Sequence, residues 1–197
     1  MRRFLFSNVN NTTTPQKNGI VTRLTLAVSD KDVTVTSTTV IARGYTVEPN
    51  DTALVLGPTG LAYDKSTDTL YVASTADNAI FAVPNAGSRS GPPSGGTGTI
   101  IFQDDHLRGP LALVFGPNGD LITSNGDAVN ADPTQPSEIV EFTPAGQFVR
   151  QFNVDAAQGG AFGIGVAQTS TDTARLAAVN DNANDLLVIN LPISGSK

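Results

Sequence analysis

Residues 57–87 read GPTGLAYDKSTDTLYVASTADNAIFAVPNAG and contain one complete supersecondary unit. Apolar side chains recur with the period of a β-strand at 61–63, 70–73 and 80–83. The polar segment KSTD at 65–68 marks a turn between the first two strands. Pro84 ends the third strand, because proline cannot donate a hydrogen bond to a neighbouring strand. The stretch therefore predicts three short antiparallel strands in succession.

The same pattern returns twice further along the chain. The segments GPLALVF at 109–115 and GAFGIGV at 160–166 match the opening strand, which makes Leu61, Leu113 and Ile164 equivalent at separations of 52 and 51 residues. A period of about 50 residues is typical of propeller blades rather than of shorter solenoid repeats. Residues 98–102 and 146–152 add a fourth strand to the first two copies. We therefore predict an all-β fold, a β-propeller of four-stranded antiparallel blades with strands a to d.

The predicted blades are not all complete. Full blades span residues 57–103 and 109–154, whereas residues 1–43 supply strands b, c and d and residues 160–191 supply strands a, b and c. The chain 1–197 is thus expected to be a single domain or segment of about four blades, incomplete at the first and the last. We expect a segment of a longer propeller or a subunit that completes the ring by self-association, and a closed four-bladed monomer is the alternative.

Composition excludes several classes of function. The chain has no cysteine and therefore no disulfide or thiolate site. Residues 1–43 hold six Lys and Arg against two Asp, but residues 44–197 hold six against sixteen acidic residues. This acidic bulk argues against nucleic acid as a partner, since binding phosphates requires clustered basic residues. We interpret the basic first segment as an ordinary charged surface. The short apolar run at 4–6 predicts neither an export signal nor a membrane span.

The repeats GPTGLAYD…TLYVASTADNAIFAV and GPLALVFGPNGDLITSNGD…SEIVEFTPAGQFVRQF resemble NHL-repeat β-propellers, including uncharacterised bacterial proteins of that kind that are exported. The resemblance covers residues 57–191 well and residues 1–43 by strand pattern only. It implies a platform for proteins, sugars or small molecules, and in some relatives an enzyme. It also implies a periplasmic or extracellular location.

One enzymatic branch of such propellers, the lactonase-like group, holds a divalent metal on the central axis. The resemblance would place its oxygen ligands at Thr59, Leu111 and Phe162 of this chain, and these side chains do not suit a hard cation. His106 is the only histidine, which disfavours a zinc site or an imidazole base pair. These residues disfavour a metal-dependent lactonase, hydrolase or lyase, which is therefore the alternative function and not the main one.

Candidate binding residues lie in the b–c and d–a loops, which emerge on one face of a propeller. Long polar loops are predicted at 8–18, 48–56, 104–108, 125–136 and 180–185, and loops of this kind carry function. The candidate residues on this face are Asp104, Asp105, His106, Arg108, Asn125, Asp127, Asn180, Asp181 and Asn182.

A calcium site is one further hypothesis for the loop at 125–138. Oxygen-bearing side chains occur there at Asn125, Asp127, Asn130 and Asp132. The loop lacks the spacing and the terminal bidentate Glu of an EF-hand, so Asx turns in a solvated hairpin are the favoured interpretation.

From the sequence we expect a non-catalytic scaffold module without a cofactor, whose loops bind a protein, glycan or small-molecule ligand. A self-assembling structural unit is the second alternative.

Overall fold

The structure is a computed structural model that describes residues 2–10, 12–51, 53–129, 131, 132, 134 and 138–193. These residues form fifteen β-strands arranged in four antiparallel sheets, and no helix occurs among them. Within the described ranges there is accordingly no helix that could span a membrane. The predicted all-β class and the antiparallel sheets of mostly four strands are confirmed.

The first sheet has the strand order β1-β2-β3-β4. Its second and third strands are long, with 13 and 18 residues, and their pairing contains several register shifts. The strands are β1 (Arg2–Asn8), β2 (Gln16–Val28), β3 (Val33–Asn50) and β4 (Leu54–Leu56).

The prediction of a polar loop at 48–56 is wrong. Residues Glu48 to Asn50 are the end of β3, and they pair with β4 as a hairpin. The strand continues past residue 43 because Tyr45 and Val47 are buried at alternate positions, which keeps one face of the strand against the core.

The second and third sheets each have four strands in sequential order, and the fourth has three. The second sheet consists of β5 (Pro58–Asp64), β6 (Thr69–Ser74), β7 (Ala79–Pro84) and β8 (Thr99–Phe102). The third consists of β9 (Pro110–Phe115), β10 (Leu121–Asn125), β11 (Glu138–Phe142) and β12 (Phe148–Asn153). The fourth consists of β13 (Ala161–Gln168), β14 (Thr173–Asn180) and β15 (Asp185–Pro192).

Strand register shows that the last three sheets repeat one pattern. Leu61, Leu113 and Ile164 each lie in the first strand, three residues after its first paired residue, and each follows a register shift. The predicted equivalence of these three positions is therefore confirmed. The shift is a local irregularity that bends a strand and increases its twist.

Three hydrophobic cores separate the four sheets. The first lies between sheets one and two, the second between sheets two and three, and the third between sheets three and four. Leu61 packs on the first core, Leu113 lies in the second and Ile164 packs on the third. Each sheet in the middle of the succession is therefore apolar on both faces, which explains the continuous burial of β6, β10 and β11.

A hydroxyl group near the end of one strand links each sheet to the next. Ser7 Oγ donates to the carbonyl oxygen of Thr59 at 3.2 Å, and Thr75 Oγ1 donates to that of Pro110 at 2.8 Å. Ser124 Oγ donates to the carbonyl oxygen of Phe162 at 2.5 Å. All three acceptors belong to the first strand of the following sheet. These bonds therefore fix the position of each sheet, along the direction of its strands, relative to the next sheet.

Candidate functional site

Three equivalent backbone hydrogen bonds gather the predicted ligand loops at one edge of the sheets. The amide that follows the second strand donates to the carbonyl oxygen of the glycine that precedes the first strand, at 2.9 Å in each case. The pairs are Thr75 with Gly57, Gly126 with Gly109, and Asp181 with Gly160. We call this edge the loop face, made of described residues 9, 10, 12–15, 75–78, 103–109, 126–129, 131, 132, 134, 154–160 and 181–184.

Side chains of the loop face bond to the backbone of neighbouring loops. Asn78 Nδ2 donates to the carbonyl oxygen of Leu107 at 2.8 Å, and the amide of Gly109 donates back to Asn78 Oδ1 at 2.8 Å. The amide of Gly159 donates to Asp127 Oδ2 at 3.0 Å. Asn182 Nδ2 donates to the carbonyl oxygen of Gln158 at 2.9 Å. These bonds join the loop after the second strand of sheets two, three and four to the segment that leads into or out of the same sheet, and they hold the face in one arrangement.

Arg108 is the centre of the most polar part of this face. Its side chain is buried, with Nη1 at 3.0 Å from Glu138 Oε1 and Nη2 at 3.2 Å from Asp132 Oδ2. Its backbone amide donates to Asn125 Oδ1 at 3.0 Å. We call Arg108, Asn125, Asp127, Asp132 and Glu138 the Arg108 cluster.

The pKa values of the two carboxyl groups that pair with Arg108 shift in opposite directions. Burial raises the pKa of Glu138, and the nearby charge of Asp127 raises it further, whereas Arg108 acts in the opposite direction. Hydrogen bonds from Thr134 lower the pKa of Asp132, with a smaller contribution from Arg108. Glu138 Oε2 and Arg108 Nε are both buried and find no hydrogen-bond partner among the residues that the structure describes. The ion pair therefore leaves one buried polar atom of each partner without a hydrogen bond in the described part of the chain.

Two of the residues predicted as calcium ligands, Asn125 and Asp132, contact the positively charged Arg108. Asn125 uses its oxygen for the Arg108 amide and its Nδ2 for the carbonyl oxygen of His106, at 2.7 Å. The guanidinium of Arg108 lies beside Asp132, where it opposes the binding of a cation. No group of three or more Asp, Glu or His side chains in the described ranges could hold a metal ion. Asn130 lies outside the described residues, and calcium binding stays a prediction.

The remaining predicted residues differ in their exposure and contacts. His106 stacks on Phe148 with ring centroids 3.7 Å apart, and its Nδ1 is 3.1 Å from Asp104 Oδ1. Asp105 and Asp181 are exposed, and their carboxylates form no hydrogen bond or ion pair with the described part of the chain. Asn180 is buried and donates to Asp155 Oδ2 at 2.8 Å. The loop face therefore combines anchored and free polar groups.

The positions implied by the lactonase-like resemblance have structural contacts. Thr59 Oγ1 lies 3.1 Å from Thr75 Oγ1 and donates to the carbonyl oxygen of Pro110 at 3.2 Å. A Cβ on Gly126 would overlap the side chain of Leu111, which shows how closely these two residues pack. Phe162 is half exposed.

Two carboxylates of this edge were missed by the sequence reasoning. Glu138 begins a buried strand and was interpreted only as the end of a polar loop. Asp77 accepts hydrogen bonds from the amide of Thr46 at 2.9 Å, from Ser74 Oγ at 2.7 Å and from Lys17 Nζ at 2.9 Å. Burial alone would raise the pKa of Asp77, but these hydrogen bonds outweigh it and lower the pKa.

Comparison with known proteins gives little further information. No protein-family profile matches the chain, and no curated protein matches it. Seven chains among solved structures match, one of which is a luciferin-regenerating enzyme that is 8% identical across 97% of this chain, with a TM-score of 0.45. The chain spans 62% of the length of that protein. At this identity and TM-score the likeness carries no argument about function.

Proposed function

We propose that the four sheets are blades of an NHL-like β-propeller and that the protein is a non-catalytic binding module. Its ligand, a protein, a glycan or a small molecule, would contact the loop face. One observation carries the proposal: side chains such as Asn78 and Asn182 hold neighbouring loops together by hydrogen bonds. A surface that is ordered before binding loses less conformational entropy when it binds.

The unpaired carboxylates of the loop face suggest which chemical groups the ligand carries. Asp105 and Asp181 expose carboxylates, and they accompany the acidic Asp104 and Asp127 on the same edge. Carboxylates accept hydrogen bonds and attract positive charge. A ligand rich in hydroxyl, amide or basic donors would therefore fit this face best.

The test is a binding screen read out by amide chemical shifts of the whole chain. Glycans, peptides with basic residues and small polyols are titrated separately, and we expect saturable shifts at 104–108 and 181–184. Asp105→Ser and Asp181→Ser should each weaken binding by about tenfold, the loss of one charge-assisted hydrogen bond. Asp30→Ser is the matched control, because Asp30 is equally exposed but lies in the hairpin at the opposite edge.

Binding that shifts the same residues but is weakened equally by Asp30→Ser would show a general charge effect and contradict the proposed site. Failure of all three ligand classes to produce saturable shifts would contradict the proposed function.

A second candidate function, self-assembly, is favoured by the outer faces of the first and last sheets. Phe4 is 64% exposed, and it alternates in β1 with Leu5, which packs on the first core. Leu186 is 57% exposed and Val188 51%, and they alternate in β15 with Ile189, which packs on the third core. Contiguous exposed apolar surface marks interaction sites. We propose that a second copy covers these faces and continues the succession of sheets.

Light scattering over a range of protein concentrations tests self-assembly. We expect an average mass that rises with concentration, and Leu186→Asp should prevent the rise by placing a charge in the apolar contact. Ile100→Asp is the control, since Ile100 is 47% exposed but belongs to the second sheet. A mass of one chain at every concentration would contradict self-assembly, as would equal effects of the two variants.

A further inference from the structure

A pocket of about 230 Å³ lies between the first two sheets, at the edge opposite the loop face. It is close to the β5–β6 turn and to the segment that follows β7. Its lining residues are Arg3, Leu5, Arg23, Tyr63, Lys65 and Gly87. Three of these six carry a positive charge and none carries a negative charge, although the whole chain has a net charge of −6. We call it the Arg23 pocket.

Arg23 is an arginine buried without a counter-ion. It lies opposite Leu5 in the β1–β2 pairing, so both side chains point to the face that packs on the second sheet. Its exposure is only 8%, and its one hydrogen bond within the described chain runs from Nη1 to the carbonyl oxygen of Ala86, at 2.9 Å. Its Nε is buried and unpaired among the described residues, and no described carboxylate forms an ion pair with it. Burying an unpaired charge is costly, so the site lacks a negative partner.

Arg3 and Lys65 extend the positive charge to the mouth of the pocket. Arg3 is two residues from Leu5 in β1 and therefore points to the same side of the sheet. Lys65 lies in the β5–β6 turn of the second sheet. Both side chains are exposed, and neither has a hydrogen bond or ion pair with the described residues. Three guanidinium or ammonium groups from two sheets thus meet around one cavity.

The carboxylates nearest to the pocket accept hydrogen bonds from neutral groups, and the charge of Arg3 acts on Asp68. Asp68 accepts hydrogen bonds from Tyr63 at 2.8 Å, from the amide of Gly87 at 2.5 Å and from Ser88 at 2.8 Å. Asp64 accepts hydrogen bonds from the hydroxyl groups of the turn that follows it, at 2.7 Å. These bonds hold Asp64 and Asp68 in place without an ion pair to Arg23.

We propose that the Arg23 pocket binds a phosphate group, either as free phosphate or as a small phosphate monoester. Arg23 is the buried anchor, because a guanidinium presents donors in a geometry that matches two phosphate oxygens. Arg3 and Lys65 contact the remaining oxygens from the rim. The cavity is several times the ~30 Å³ that one water molecule occupies in the liquid, which leaves room beside the phosphate for a small organic group. The site is independent of the loop face.

The proposal is tested by titrating inorganic phosphate and phenyl phosphate separately into the whole chain at low ionic strength. Heat of binding gives the affinity, and amide shifts give the location. We expect saturable binding with shifts at residues 3–5, 23, 63–65 and 87. Lys65→Gln and Arg3→Gln should each weaken binding by about tenfold or more, as expected for a hydrogen bond to a charged group. Arg23→Met should abolish binding, and its folding is checked by the amide spectrum.

Arg175→Gln is the matched control, because Arg175 is exposed on the fourth sheet and its loss changes the net charge by the same amount. Its affinity for both probes should equal that of the original chain. Tighter binding of phenyl phosphate would identify an ester as the ligand, and equal affinities would identify the free ion. Absence of saturable binding for both probes overturns the proposal. Equal weakening by Arg175→Gln and Lys65→Gln also overturns it, because it would show unspecific attraction. If Arg23→Met does not fold, the variants Arg3→Gln and Lys65→Gln still decide the test.

Discussion

Replacing Arg108 by methionine is expected to lower the free energy of unfolding by about 3–5 kcal/mol at neutral pH, because it leaves a buried charge without its partner. Glu138 is fully buried, and Arg108 Nη1 lies 3.0 Å from its Oε1. Methionine keeps much of the apolar length of the arginine side chain, so the loss reports mainly on charge. Denaturation by urea, with circular dichroism as the signal, measures it.

The stability lost by Arg108→Met should become smaller as the pH falls. A carboxyl group whose pKa is raised in the folded state binds its proton more tightly there, so it stabilises the fold below its unfolded pKa and loses that contribution as the pH rises through the folded pKa. Burial already raises the pKa of Glu138, and removing Arg108 raises it further. We therefore expect Arg108→Met to be closest to the original chain in acid and furthest from it at neutral pH.

The double variant Arg108→Met with Glu138→Leu is the control for this explanation. It removes both charges and should recover most of the lost stability, since a buried ion pair and an apolar pair of similar volume are often nearly equivalent. A single variant whose loss is independent of pH, or a double variant that is less stable than the single one, would contradict the role given to the ion pair.

Replacing Gly146 by alanine is expected to lower the free energy of unfolding by about 2–5 kcal/mol, the sum of a backbone effect and a steric one. Gly146 has a φ of +82°, a conformation that residues with a Cβ rarely adopt. Its Cβ would overlap the carbonyl oxygen of Ile101 in β8 of the preceding sheet. The turn between β11 and β12 must therefore move away from the second sheet.

Gly119→Ala separates the two contributions. Gly119 has a φ of +85°, but nothing lies within 4 Å of the position of an added Cβ. Its replacement by alanine should lower the free energy of unfolding by the backbone effect alone, about 1–2 kcal/mol. Urea denaturation of both variants gives the difference, which is the cost of separating β8 from the β11–β12 turn. Equal losses for the two variants would show that this close approach contributes nothing.

Much of the fold could be predicted because short antiparallel strands carry a local signal. The alternation around Leu61 and its return at Leu113 and Ile164 predicted equivalent first strands, and the pairing register confirms them. The hairpin between β3 and β4 was missed because Glu48 and Pro49 resemble a polar loop. Their pairing depends on the hydrogen bonds of β4, which side-chain patterns do not reveal.

Arg108 and Asn125 come from separate segments and lie at the same edge of the sheets, because strand order determines where loops emerge. Glu138 was not expected to be buried there. Its burial depends on Arg108, which is 30 residues earlier in the chain. A pairing between two segments that far apart leaves no periodic trace in a sequence.

The Arg23 pocket could not be predicted from the sequence for the same reason. Arg3, Arg23 and Lys65 each resemble ordinary surface cations when the chain is examined locally. Only the packing of the first sheet on the second brings them around one cavity. Clusters of this kind can be recognised from coordinates but not from spacing along the chain.

The hydroxyl bonds of Ser7, Thr75 and Ser124 connect each sheet only to the one that follows it in the chain. Donor and acceptor are thus always carried by adjacent repeats. In an array built this way, stability is close to a sum of the units and their nearest-neighbour contacts. Duplicating or deleting one whole repeat would keep the other junctions between neighbouring sheets, so genes for such chains can change length by copying a segment of about fifty codons, the length of one repeat.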